Sequence, residues 1–278
     1  MRFPLRTLVI HIVAWTAAVV WLIPFLGVLV SSFRPSNEVL DGWWILSPLN
    51  ITLTNFVTAF FHDIFPMSVG LRNSFLVVLP ATLLPLVIGA LAGYGFARFS
   101  WPIRDYVFLT IVLLMAVPQM MVAIPLFQIM VDLNLVNTFG ALILIHMTWG
   151  LPWIILFMRN FFGTLPVEIE EAARVDGASD TKVFFRVVLP MAFPALASVF
   201  VLQFMWVWSD FFFATIFIQE PSLMMATQLV PRLALGQFQA DWGLLTAAAL
   251  LVMIVPILVY AFLQKFYVKG MIGWTVKR

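Results

Sequence analysis

The chain has 278 residues, 63% of them hydrophobic and 10% charged, with a mean hydropathy of +1.05. Soluble domains are about half apolar and a quarter charged, so this composition marks an integral membrane protein. A formal net charge of +2, with the basic residues at segment ends rather than along one face, excludes a nucleic-acid-binding surface. The absence of cysteine excludes disulfides, thiolate catalysis and cysteine-ligated metals.

A membrane-crossing helix needs about 20 mostly apolar residues. Six such stretches lie between charged residues and predict an all-α, polytopic fold of one transmembrane domain over 1–278, with spans near 8–31, 73–97, 106–131, 138–158, 192–218 and 243–264. The first follows Arg2 and Arg6, but it is too long for a signal-peptide core and no small-residue cleavage site follows, so a retained helix is expected. The outer segment from Ser32 to Arg72 carries Gly42-Trp43-Trp44 and reads as a folded cap at the membrane interface. Prolines 80, 85, 118, 125, 152, 194 and 256 fall in or beside spans and predict kinks.

Within the third span, Gln119 precedes Met120 and Met121, which read as lipid-facing or packing surface. In the fourth, His146 has no second histidine or carboxylate at ligand spacing, so no metal site is expected and a hydrogen bond between helices is the simpler role. The fifth holds Gln203 and the only charge well inside a span, Asp210. A carboxylate there faces protein or a polar path, because exposure to lipid costs several kcal/mol. Trp206, Trp208 and Ser209 surround it, a combination of aromatic faces and polar atoms suited to sugars, and equally compatible with a brace against a neighbouring subunit. Gln119, Gln203 and Asn137 are weaker candidates for the same path.

Orientation follows the basic residues. A cytoplasmic N-terminus places Arg2, Arg6, Arg98, Arg104, Arg159, Arg174, Lys182, Arg186, Lys265, Lys269, Lys277 and Arg278 inside, leaving Arg34, Arg72 and Arg232 outside. With six spans, both termini are expected in the cytoplasm.

The longest inward segment, 161–190, reads FFGTLPVEIEEAARVDGASDTKVFFRVVLP and predicts two short helices. Pro166 suits a first helical position, and Glu168, Glu170 and Glu171 complement the positive helix end. Glu170 stands four residues before Arg174, the favourable order for a helical ion pair. Gly177 suits a left-handed C-terminal cap, and Ser179 or Asp180 can cap the second helix, whose apolar stripe is Val183, Phe184 and Val187. Ala172 and Ala173 leave room for another backbone. The segment fits a docking element or an amphipathic hairpin lying on lipid.

Glu171-Ala172-Ala173, then Gly177 after three residues, then Val187-Val188-Leu189-Pro190 after nine more, resembles the EAA signature of permeases of binding-protein-dependent ATP-binding-cassette (ABC) importers, with Val187 in place of the usual isoleucine. Leu71-Arg72-Asn73-Ser74, Ala97-Arg98-Phe99, Ile124-Pro125-Leu126-Phe127, Asp176-Gly177-Ala178 and the tail from Gln264 to Gly270 are similar to the shorter, six-span subunit of the maltose-type, carbohydrate-importing subfamily. Trp208-Ser209-Asp210 stands where that subfamily usually has Trp-Asn-Asp, and the tail ending Gly273-Trp274-Thr275-Val276-Lys277-Arg278 also departs from it.

The resemblance implies a non-catalytic transport subunit in the prokaryotic cytoplasmic (inner) membrane. It implies alternating access, with a sugar delivered by an external binding protein, a second and non-identical permease subunit, and two cytoplasmic ATPase subunits. ATP and magnesium would sit on those ATPases and no cofactor on this chain, which has no G-x-x-x-x-G-K-[ST] phosphate loop. By the same resemblance Glu171, Ala172, Ala173, Asp176, Gly177, Leu189 and Pro190 meet the ATPase. An ion-gradient-driven carrier using Asp210 is the alternative, and it leaves the 161–190 segment unexplained.

Overall fold

The computed structural model describes residues 5–45, 47, 50–234 and 241–275, with side chains as far as Lys265. Arg2, Lys277, Arg278 and the tail side chains beyond Lys265 lie outside the described residues. In chain order, α1 (Leu5–Ser32) leads through the short α2 (Ser36–Leu40) and α3 (Thr54–Phe60) into the 32-residue α4 (Met67–Arg98). Next come α5 (Arg104–Leu113), α6 (Ala123–Asp132), α7 (Phe139–Phe162) and a short pair, α8 (Val167–Val175) and α9 (Asp180–Val183). A π turn (Phe184–Val188) and α10 (Leu189–Met191) precede α11 (Phe193–Trp208), α12 (Phe212–Phe217), α13 (Ala226–Arg232) and α14 (Trp242–Thr275). No strand occurs among the described residues.

Four helices are each long and apolar enough to cross a bilayer: α1, α4, α7 and the Trp242–Lys265 part of α14. The stretch expected as one helix over 106–131 is instead two half-helices, Arg104–Ala116 and Gln119–Asp132, bent by 92°. Pro118 supplies the reason: it has no N–H to continue the ladder and pushes Val117 out of the helical region, to φ −73 and ψ 117.

The stretch over 192–218 is broken as well. It begins at a 72° bend between Asp180–Met191 and Phe193–Trp208, flanked by Pro190 and Pro194. It breaks again after Trp208, where the Asp210 carboxylate takes the N–H groups of Phe213 (3.2 Å) and Ala214 (2.9 Å) and so starts α12 as a new helix. Hydropathy reports how much apolar chain is present; these three prolines and one carboxylate decide its path.

The chain divides into two units. In the first, residues 1–70 and 226–254, Asn55 donates to the carbonyls of Ser32 (3.0 Å) and Arg34 (2.8 Å), and Arg34 pairs with Glu38 at 3.1 Å. Ser36 donates to Asp241, whose carboxylate also accepts the Leu244 N–H at the start of α14. These bonds fold the segment between α1 and α3 and tie it to the start of α14. Nearly all of α1 is exposed, as expected of a helix that is apolar all round and meets lipid or another membrane subunit.

The second unit, residues 71–225 and 255–278, holds a core in which Ala90 and Tyr94 of α4, Ile154, Met158 and Phe162 of α7, Val183, Phe184 and Val188 around α9, and Ala195 and Val199 of α11 are buried together. The α9 stripe is therefore Val183, Phe184 and Val188, with Val187 only half-buried. The π turn accounts for the shift, because its wider winding moves the inward position one residue on.

Candidate functional site

The segment 161–190 is built around α8, which buries part of its surface and exposes the rest. Glu170 is buried and Ala173 and Arg174 are half-buried, whereas Glu171, Ala172 and Val175, with Asp176 just past the helix end, are exposed. Val175 is 88% exposed, an unusual placement for a valine in a folded loop. Pro166 lies one position before the helix, with ψ at 124, so it caps α8 rather than occupying its first turn.

The turn closes on a complete left-handed cap. Gly177 has φ +84, its N–H returns to the Arg174 carbonyl at 3.0 Å, and the Ala178 N–H returns to Ala173 at 3.0 Å. Across this turn Arg174 reaches Asp180 at 2.9 Å and Glu170 at 3.6 Å, tying α8 to α9. Its hydrogen bond to Asp180 and the acidic neighbours hold the already high guanidinium pKa higher still. Ser179 occupies the cap position of α9 but makes no capping bond, and Asp180 is bound by Arg174 instead. Leu189 packs against the core while Pro190 is exposed.

Glu170 is the residue whose role the sequence did not separate from its neighbour's. It is 2% exposed and accepts from Arg98 Nε at 2.7 Å and from the Tyr94 hydroxyl at 2.8 Å, both on the last turns of α4. Arg98 also donates to the Leu165 carbonyl at 3.1 Å. Glu170 and Glu171 are adjacent in sequence and about 100° apart on the helix, so one enters the protein and the other leaves it.

The candidates around Asp210 separate. Asp210 caps α12 and lies 3.5 Å from Nε2 of the buried His146. Trp208 is buried, stacked on Phe204 and edge-on to Phe75, whereas Trp206 and Ser209 are exposed. Gln119 sits at the bend of the third stretch, where its buried Nε2 has no hydrogen-bond partner among the described residues. Asn137, at φ +58, accepts the N–H groups of Gln219 (2.6 Å) and Glu220 (3.1 Å), joining two turns.

Gln203 is a cross-brace. Its amide nitrogen donates to the carbonyls of Ala81 and His146, each at 3.2 Å, and its oxygen accepts from the Trp153 indole at 3.1 Å. Ala81 is four residues before Pro85, which has no N–H to offer it. Gln203 therefore supplies the bond that Pro85 removes. Gln203→Leu is expected to lower stability by about 1–3 kcal/mol by leaving polar groups unpaired, read as a lower melting temperature in detergent. In a Pro85→Ala background the penalty should shrink; equal penalties in both backgrounds would refute the pairing.

Comparison with known proteins is consistent over the whole length. Residues 85–273 match the family described as "Binding-protein-dependent transport system inner membrane component". A relative from Pyrococcus horikoshii, named "Probable ABC transporter permease protein PH1036", is 52% identical over 98% of this chain and 99% of its own. The diacetylchitobiose uptake system permease protein of Streptomyces coelicolor is 31% identical over 91% of this chain and 83% of its own. Among solved structures, a chain of a bacterial ABC transporter that imports the acidic polysaccharide alginate superposes with a TM-score of 0.81, covering 96% of this chain and 100% of that one at 22% identity.

Proposed function

The chain belongs to the family of binding-protein-dependent transport system inner membrane components, and on that premise we propose that it is one of two permease subunits of an ATP-driven sugar importer. It would work by alternating access with a non-identical second permease, two cytoplasmic ATPases carrying ATP and magnesium, and an external sugar-binding protein in a prokaryotic inner membrane. The sugar class rests on the subfamily motifs and on relatives whose names specify saccharides. Twelve of the fifteen Lys and Arg residues support cytoplasmic termini and a cytoplasmic 161–190 loop.

The observation that carries this reading is the outward face of α8 and its turn: Glu171, Ala172, Asp176 and Gly177 are exposed on a helix-turn-helix whose inner face is fixed to the core. Small residues admit a groove wall, and Glu171 offers a charge to a basic partner. A gradient-driven carrier would need Asp210 free to exchange an ion, yet both its oxygens accept backbone N–H groups. Asp210 is read as a helix-start brace within this chain rather than as a path residue, which leaves Trp206, Ser209 and Gln119 as the members of the candidate set available to a sugar path.

Truncating one side of a desolvated interfacial ion pair costs about 2–5 kcal/mol, and each 1.4 kcal/mol is about tenfold in affinity. Glu171→Lys should therefore leave the protein in the membrane but reduce ATPase co-purification and sugar uptake at least about tenfold. An acidic substitution at the facing basic residue of the ATPase should restore part of both. Normal uptake with an unaltered ATPase complex would sink the docking assignment.

A further inference from the structure

We propose that Tyr94, Arg98 and Glu170 form a latch that makes the cytoplasmic end of α4 and the ATPase-facing helix α8 one lever; this rests on the docking role assigned above to the outer face of α8. Glu170 would be a positioning residue: it touches neither ATPase nor sugar and acts by holding α8 to a membrane helix.

The chain connections of α8 are poor transmitters. On one side it joins α7 through the turn at Gly163–Pro166, and on the other the path into α11 passes the 72° bend at Ala192. A push on the exposed face of α8 would be absorbed at both joints unless the helix were held from within. The hold is ionic. Glu170 is the only Asp or Glu among the buried polar residues described, and it receives Arg98 Nε, the Tyr94 hydroxyl and, more loosely, Arg174.

Arg98 is itself 9% exposed at its side chain and spends a second nitrogen on Leu165, inside the joint that precedes α8. Tyr94 is wedged among Phe99, Phe162 and Phe184, so the hydroxyl is aimed by packing as well as by the bond. A buried charge pair with satisfied lone pairs adds little net stability over an apolar filling, but it is directional and cannot slip by one position without stranding a charge. That property suits a lever more than a core.

The consequence distinguishes two adjacent glutamates. Losing Glu171 weakens docking; losing Glu170 leaves the docking face in place and disconnects it from the spans. In the assembled transporter in liposomes, with its binding protein and sugar, Glu170→Ala should keep ATPase association within about twofold of native. Sugar transported per ATP hydrolysed should fall at least tenfold. Glu170→Gln, which can still accept both bonds, and Tyr94→Phe, which deletes only one, should fall between.

Because the chain has no cysteine, R98C/E170C can be joined by a short bis-thiol-reactive reagent. Bridging should restore transport per ATP, and the unbridged double variant should remain uncoupled. An unchanged transport-to-hydrolysis ratio in Glu170→Ala would overturn the latch. So would loss of ATPase association equal to that of Glu171→Lys, or failure of the bridge to restore coupling. If the docking reading itself were wrong, Glu171→Lys would be silent, a result independent of anything done to Glu170.

Discussion

Gly93→Leu is expected to remove most of the protein from the membrane fraction, and what remains should melt far below the native chain. A Cβ at position 93 would lie 2.7 Å from the Met158 Cβ, 2.9 Å from the Arg159 backbone nitrogen and 3.1 Å from the Met158 carbonyl carbon. Two of these three are main-chain atoms of α7, which cannot swing aside as a side chain would. One turn earlier, a Cβ at Gly89 would meet Ile154 Cγ2 at 2.4 Å. Gly89 and Gly93 thus form a G-x-x-x-G face against which Ile154 and Met158 lie directly, the small-residue packing that membrane helices use in place of a hydrophobic driving force.

A leucine there must push α7 away from α4 and open the core that Ala90, Tyr94, Met158 and Phe162 share. Overpacking typically costs about 1–3 kcal/mol and more where backbone is the obstacle, so about 3 kcal/mol or more is expected. Gly95→Ala is the control, since a Cβ two residues along the same helix meets nothing within 4 Å. Melting in detergent, followed by aggregation or intrinsic tryptophan fluorescence, separates the two. A Gly93→Leu protein with native abundance and melting would show that α4 and α7 do not cross here.

At Gly177 the expected loss is of function rather than of fold. A Cβ there has open space on every side, so size is not the obstacle. The obstacle is φ +84, a left-handed conformation that costs an ordinary L-residue about 1–2 kcal/mol and a β-branched one more. Gly177→Val should relax the backbone away from it and break the returns from Gly177 to Arg174 and from Ala178 to Ala173. With them would go the angle between α8 and α9 that the Arg174–Asp180 bond spans.

Uptake should drop at least about tenfold at normal membrane abundance. Asparagine tolerates the left-handed region, so Gly177→Asn should keep much of the activity, with alanine between. Native uptake in Gly177→Val, or equal damage from asparagine and valine, would show that backbone geometry is not what this glycine supplies.

Much of the molecule was written in composition and local spacing. Six apolar stretches, the helix-turn-helix of 161–190 with its glycine-capped first helix, and the Glu170–Arg174 pair all depend on residues within a few positions of one another, and local energetics decides them. The G-x-x-x-G face at Gly89 and Gly93 was also legible; reading α4 only for hydropathy passed over it.

What the tertiary structure decided concerns residues whose partners are distant in sequence. Gln203 suited a sugar path by its chemistry, but it answers a carbonyl that Pro85 freed 122 residues earlier. Asp210 suited a substrate site as an isolated charge, and its partners are a new helix start and His146 on another helix. Above all, nothing local distinguishes Glu170 from Glu171. A helix fixes the angle between adjacent side chains, but which of them enters the protein depends on where Tyr94 and Arg98 arrive, and only the packing of α4 against α8 determines that.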